Sequence, residues 1–232
     1  MIWPATSPAL DVADVVHTAR RAAPSIRERL DDGVTARGDL LAKIDREIEH
    51  QEARGDGSLQ MKMNGLEDVD VCKALYRASQ AGVKVDLIVR GICCLRPGLK
   101  GISENISVRS IIGRFLEHTR VFYFQNNDTP EVYCSSADWM DRNLYQRVEV
   151  CFPIQTKRIS NLIVKHLHYY LQDNMQSWLL MPDGNYQRYT DDNAPFSAQE
   201  QLLEDLKAVD KAPVGIAQGL LGVHVKMARE VH

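Results

Sequence analysis

GVKVDLIVRGICCLRPGLKGISENISVRSIIGRFLEHTRVFYFQNNDTPEVYCSSADWMDRNLYQRVEVCF, from Gly82 to Phe152, is the stretch whose reading decides the fold. Short apolar runs alternate with turns, and arginines, one histidine and several glutamates are set among them. Val83 to Arg90 reads as a strand: Val83, Val85, Leu87 and Val89 share one face, and Lys84, Asp86, Ile88 and Arg90 the other. Arg90 falls at the end of that strand, just before Gly91, and in open α/β sheets the carboxyl-terminal edge is where ligands bind. Two further strand patterns put polar residues two apart on a shared face, His118 with Arg120 and Arg147 with Glu149. The stretch marks a place for a multiply charged anion.

Working outward, Leu59 to Asn64 reads as a preceding strand. Glu67 or Asp68 opens a helix carrying Val71, Leu75 and Ala78 that stops at Gly82. A strand, a helix and a strand at this spacing predict a parallel crossover with the helix covering the sheet. Upstream, helices are expected from Asp11 to Leu30, interrupted near Pro24, and from Ala36 to Ala53, where Leu40, Leu41, Ile44 and Ile48 form an apolar stripe and Lys43 faces Glu47. Downstream, strands are expected at Ile106 to Ser110, His118 to Gln125, Val132 to Ser135 and Tyr145 to Phe152. An amphipathic helix from Lys157 to Trp178 follows, with Ile159, Ile163, Leu167, Tyr170 and Leu171 inward, ended by Pro182-Asp183-Gly184. A last helix runs from Ser197 to Lys211 with Ser197 and Glu200 as a capping box.

The chain of 232 residues is long enough for one large α/β domain with helical appendages. Its 28 Lys and Arg against 31 Asp and Glu give a formal net charge of -3, so nothing global suggests coating of nucleic acid, and any basic site is local. Five cysteines without CxxC spacing suit a reducing compartment. No apolar run approaches the roughly 18 to 20 residues of a membrane span, and the start lacks a secretion pattern, so a cytoplasmic protein is expected.

At Arg90 a guanidinium offers a planar fork to two phosphate oxygens, or else is solvated or salt-bridged at a strand end. Arg96, Lys100, Arg109 and Arg114 read as a solvated face. His118 can donate to phosphate, exchange a proton or accept a phosphoryl group, and is otherwise a core histidine. Glu149 is either the ion-pair partner of Arg147 or a group that orients an imidazole or holds a cationic ligand. Ser135, Ser136, Asp138 and Asn143 fall in a turn after a strand, where hydroxyls and amides hold oxygens or simply build the turn. Cys93-Cys94 reads as buried packing, His166 and His168 diverge on a helix, and Trp139 is either a cap over apolar side chains or a stacking surface.

The segments KMNGLED (Lys62 to Asp68), LYRASQAGVKVDLIVRGICCLRPG (Leu75 to Gly98), GRFLEHTR (Gly113 to Arg120), SSADWMDRN (Ser135 to Asn143) and RVEV (Arg147 to Val150) together resemble the last domain of the polyphosphate kinase 1 family. The resemblance implies a phospholipase-D-like α/β domain, a mixed sheet flanked by helices, over residues 36–180. Residues 1–35 would form a leader and helix, and residues 181–232 a helical tail. It also implies reversible transfer of the terminal phosphoryl group of ATP to polyphosphate, through a phosphohistidine and with magnesium. The family's functional residues fall here on Arg90, His118, Arg147 and Glu149, with His118 supporting transfer. Arg120 stands where a phospholipase D motif has lysine, which favours anion clamping over proton transfer. Nothing in the chain matches the family's phosphorylated histidine, base-side tyrosine or magnesium-associated arginines, so the magnesium ligands are expected outside it. The isolated chain is expected to be inactive, with ATP or ADP, polyphosphate and the remaining domains or a second copy as partners and no nucleic acid. The rival readings are a phospholipase-D-like phosphodiesterase that pairs with itself, and a module that binds polyphosphate or nucleotide without chemistry.

Overall fold

The structure, a computed structural model, describes residues 36–210 except 146 and 148. The helix expected from Asp11 to Leu30 and the chain beyond Pro213 lie outside the described residues. In order the elements are α1 (Ala36–Arg54), β1 (Ser58–Met63), α2 (Val69–Gln80), β2 (Lys84–Val89), β3 (Ile106–Ile111), β4 (Arg120–Phe124), β5 (Glu131–Ser135), α3 (Asp141–Tyr145), β6 (Cys151–Pro153), α4 (Lys157–Gln172), β7 (Ser177–Leu180), β8 (Tyr186–Arg188) and α5 (Ala198–Asp210). One mixed sheet runs β6-β5-β4-β1-β2-β3-β7-β8. The expected crossover is present: β1 pairs with β2 in parallel, Leu59 opposite Val85 and Met63 opposite Val89. The helix between them starts at Asp68, whose carboxylate accepts the Val71 amide at 2.8 Å, and it ends where Gly82 takes φ +95°.

The sheet is buried on both faces. On one, Leu40 and Ile44 of α1 and Val71 and Leu75 of α2 pack on Val85, Leu87 and Val89. On the other, Ile159, Ile163 and Leu167 of α4 pack on Ile88, Val121 and Val132. The mixed sheet flanked by helices is therefore the architecture the sequence predicts.

Several local expectations are corrected. Residues Tyr145 to Phe152 do not form one strand: α3 ends at Tyr145 and β6 covers only Cys151–Pro153. Arg147 and Glu149 therefore lie in a connection, and β4 starts at Arg120, leaving His118 in the loop before it. The helix from Lys157 stops at Gln172 instead of reaching Trp178. Buried Asp173 turns the chain by accepting the amides of Met175 (3.0 Å), Gln176 (2.6 Å) and, from a distant segment, Ala198 (2.8 Å). Ser177–Leu180 then joins β3 as an antiparallel strand. Pro182-Asp183-Gly184 is the turn of the β7–β8 hairpin, with Gly184 at φ +91°. Lys43 pairs with Glu131 at 2.7 Å and not with Glu47. Glu47 is fully buried and accepts the Asn126 amide at 2.8 Å. Arg109, expected to be solvated, donates to the Leu171 carbonyl at the end of α4. Cys94 is exposed, while its neighbour Cys93 is partly buried.

Candidate functional site

Sheet order explains why distant segments meet. β4 is antiparallel to β1, with Lys62 opposite Val121, so the start of β4 lies at the edge where β1 ends. β5 is antiparallel to β4, with Arg120 opposite Ser135, which brings the end of β5 to that same edge. The loops leaving β1, β2 and β5 and entering β4 border one open cleft of about 580 Å³. Arg90, His118, Arg147 and Glu149, the four residues singled out from the sequence, all line it.

Arg90 follows β2 and donates through Nε to the Asn64 side-chain oxygen at 2.9 Å. Its backbone is anchored too, the carbonyl accepting the Ser110 hydroxyl at 3.1 Å. His118 is exposed, and each of its ring nitrogens stands 3.4 Å from a terminal nitrogen of Arg120. Partial burial, then the positive charges of Arg120 and Arg90, push the His118 imidazole below its ordinary value, so the ring is neutral at neutral pH. A neutral imidazole has one donor and one acceptor nitrogen, and can give or take a proton.

Arg120 is not a free clamp. Its Nε and one terminal nitrogen bind both oxygens of Asp138, at 3.1 and 2.8 Å, and its other terminal nitrogen reaches the His118 carbonyl at 3.2 Å. Asp138 also accepts the amides of Asn64 (2.7 Å) and Gly65 (3.2 Å). Burial alone would raise the Asp138 carboxyl; Arg120 and these amides outweigh it and hold the group below the usual carboxylate range. Glu149 accepts hydrogen bonds from the Ser136 hydroxyl and from Asn143, the latter at 2.6 Å. The Ser136 bond chiefly, with help from Asn143 and Arg147, keeps Glu149 ionised against the effect of burial. Ser136, Asp138 and Asn143 thus act on the site through Arg120 and Glu149. Trp139 is fully buried, its ring 4.9 Å from that of Phe122, so it is a core residue and not a stacking surface.

A layer beneath the cleft was not foreseen. Lys62 is 2% exposed, and its ammonium contacts Glu117 at 3.0 Å and the Thr119 hydroxyl at 2.7 Å, over the ring of Tyr170. Gln199 of α5 donates to Glu117 at 2.7 Å and to the Phe115 carbonyl at 2.8 Å. The loop that carries His118 is thereby tied to β1 and α5. Burial lowers the Lys62 ammonium from its ordinary value, with Glu117 opposing and Arg90 and Arg120 reinforcing the change. The only sign of this in the sequence is a lysine set between Met61 and Met63 in a strand.

The carboxylates of the cleft do not suit a magnesium ion. Both oxygens of Asp138 are occupied by donors, as are those of Glu149. Among the described residues no group of three His, Cys, Asp or Glu side chains converges, and no helix is long and apolar enough to cross a membrane.

Residues 33–199 match the family described as polyphosphate kinase C-terminal domain 2. The polyphosphate kinase of Pseudomonas aeruginosa is 51% identical over 176 residues, 75% of this chain and 26% of that protein. The polyphosphate kinase of Pseudomonas putida is 52% identical over 174 residues, 74% of this chain and 24% of that protein. The crystal structure of polyphosphate kinase from Porphyromonas gingivalis superposes with a TM-score of 0.72 at 37% identity, covering 84% of this chain and 32% of that one. The chain spans about a quarter of the length of the curated relatives it matches.

Proposed function

This chain belongs to the polyphosphate kinase family through its C-terminal domain, and from that premise we propose that its cleft binds the phosphates of ATP and polyphosphate during reversible transfer of the terminal phosphoryl group. The observation that carries this reading is the convergence of Arg90, Arg147 and the neutral imidazole of His118 on one open cleft. During transfer, charge moves onto the oxygens between donor and acceptor, and fixed cationic donors stabilise it. Arg90, held through Nε, offers its remaining donors to two phosphate oxygens. Arg147 supplies a second positive charge, and Glu149, fixed by Ser136 and Asn143, sets the position of the connection that carries it. His118 donates to the bridging or leaving oxygen. The phosphohistidine and the magnesium ligands belong to parts of the family enzyme outside these 232 residues, so this chain contributes one wall of a site and forms no ATP by itself. We place it in the cytoplasm as a unit that begins near residue 36, working with the other domains of the enzyme or a second copy. Five free cysteines support a reducing compartment.

Titration of the purified chain with ATP and with tripolyphosphate tests the reading. Arg90→Ala should weaken both by about tenfold or more, the scale of a hydrogen bond to a charged group, with unfolding temperature little changed. Unchanged affinity would remove Arg90 from the site. ATP formation from ADP, magnesium and polyphosphate by the chain alone, abolished by His118→Ala, would overturn the assignment of one wall only.

A further inference from the structure

The geometry points to Asn64 as a positioning residue that orients Arg90 toward a bound phosphate chain; this rests on the reading above that Arg90 takes phosphate oxygens. Asn64 directly follows β1 and is 8% exposed, and every polar group it has is engaged. Its amide donates to Asp138 Oδ1 at 2.7 Å, and its carbonyl accepts the Gly91 amide at 2.9 Å. Its side-chain oxygen accepts Arg90 Nε at 2.9 Å. Its side-chain nitrogen donates to Asp138 Oδ1 at 3.2 Å and, more loosely, to the His118 carbonyl at 3.4 Å.

The chemistry of these partners fixes which end of the amide is which. Arginine Nε only donates, while a carboxylate and a carbonyl only accept, so the oxygen faces Arg90 and the nitrogen faces the other two. Only a carboxamide meets the three demands together, and asparagine is its shorter form. Aspartate would accept from Arg90 but set a second carboxylate against Asp138, and a hydrocarbon would meet none of them. Asn64 is also the point where the segments of the cleft join: Arg90 after β2, His118 before β4 and, through Asp138, Arg120.

The consequence concerns binding. An unrestrained arginine at a strand end loses rotamer freedom when it grips a ligand, and that loss subtracts from affinity. With Nε bonded to Asn64 the guanidinium plane is set in advance, and its terminal nitrogens are left as a fork matched to two oxygens of one phosphate. Asn64 does not touch the ligand; it acts through Arg90.

The test uses the full 232-residue chain and tripolyphosphate, with binding followed by calorimetry in wild type, Asn64→Ala, Arg90→Ala and the double variant. Asn64→Ala should weaken binding about tenfold, the scale of a hydrogen bond to a charged group. In the Arg90→Ala background it should add nothing, because its effect runs through the same side chain. Wild-type affinity in Asn64→Ala, or independent losses in the double variant, would overturn the proposal. A second measurement needs no substitution: the Arg90 Nε–H should exchange with solvent much more slowly than that of exposed Arg147 in NMR spectra. Exchange as fast as that of Arg147 overturns the proposal even where Asn64→Ala does not fold. A wild-type chain that fails to bind tripolyphosphate sinks the functional reading, while the exchange rate in the free protein still decides whether Asn64 holds Arg90.

Discussion

Glu117→Gln isolates the charge of the buried pair beneath the cleft while keeping its shape. Glu117 Oε2 lies 3.0 Å from the ammonium of Lys62, which is 2% exposed, so the substitution leaves a buried cation with only neutral partners. At an effective dielectric of about 20, two unit charges at that separation attract by about 5–6 kcal/mol. The glutamine oxygen keeps an acceptor in place, so the loss falls toward the range of about 3–5 kcal/mol found when one member of a buried pair is removed. The alternative route has a similar ceiling. If Lys62 sheds its proton in the folded variant, the cost at pH 7 is about 1.4 kcal/mol for each of the roughly 3.4 units below the ordinary lysine value, close to 5 kcal/mol. The two routes differ in pH dependence. A lysine neutral when folded and charged when unfolded means that the unfolded state binds the extra proton. Stability of the variant then rises with pH, by up to about 1.4 kcal/mol per unit, until the unfolded lysine itself titrates near 10.4. Urea unfolding of the full chain at pH 7, 8 and 9 measures both quantities, and the double variant Lys62→Met, Glu117→Gln should recover much of the loss because no unpaired cation remains. A Glu117→Gln variant within about 1 kcal/mol of wild type, with the same pH slope, would refute the reasoning.

Two further outcomes follow from the cleft. Arg120→Lys keeps the charge but cannot bridge both oxygens of Asp138. It should lower stability by about 1–3 kcal/mol, the cost of a buried acceptor left without its donor, and urea unfolding equal to wild type would show that the bridging of Asp138 by Arg120 does not support the fold. His118 should titrate below 6.5 in an NMR series, because partial burial and then Arg120 and Arg90 disfavour its charged form. Bound tripolyphosphate favours the charged form, so the complex takes up a proton and affinity rises as pH falls from 7.5 toward the imidazole value. His118→Asn should flatten that slope, and an imidazole value at or above 6.5 in the free protein would count against the field described.

The βαβ unit was legible because each of its signals is local: alternation in β2, the acid at Asp68 that opens α2, and the glycine at Gly82 that ends it. Arg90 was legible for a similar reason, since it stands at the end of a clean strand pattern, whereas His118, Arg147 and Glu149 reach the cleft from a loop and a connection and not from the strands expected for them. What failed was decided at a distance. The apolar spacing of α4 continues smoothly into Trp178, and only Asp173, bonded to the Ala198 amide 25 residues on, ends the helix. Tyr145 to Val150 alternates like a strand, but Asn143 and Ser136 bind Glu149 and hold the segment as a connection instead. Asp138 was visible as a turn residue and Arg120 as a cation. That they bind each other depends on the antiparallel pairing of β4 with β5, which no spacing within either segment reveals.

The whole-chain charge of -3 says little about the ligand because the cleft reverses it locally. Among the described residues, Arg90, Arg120, Arg142 and Arg147 line the cleft against only Asp138 and Glu149. The two carboxylates are themselves engaged, Asp138 by Arg120 and two backbone amides and Glu149 by neutral donors, so neither closes over Arg90. A cleft whose anions are tied to its own frame while Arg90 keeps donors free is organised to receive negative charge from outside. Because that frame is built from the ends of β1, β2 and β5 and the start of β4, the fork of Arg90 and the ring of His118 are fixed relative to each other by sheet register. Under the proposed function, a phosphate chain entering the cleft would meet donors already in place, with little reorganisation of the protein.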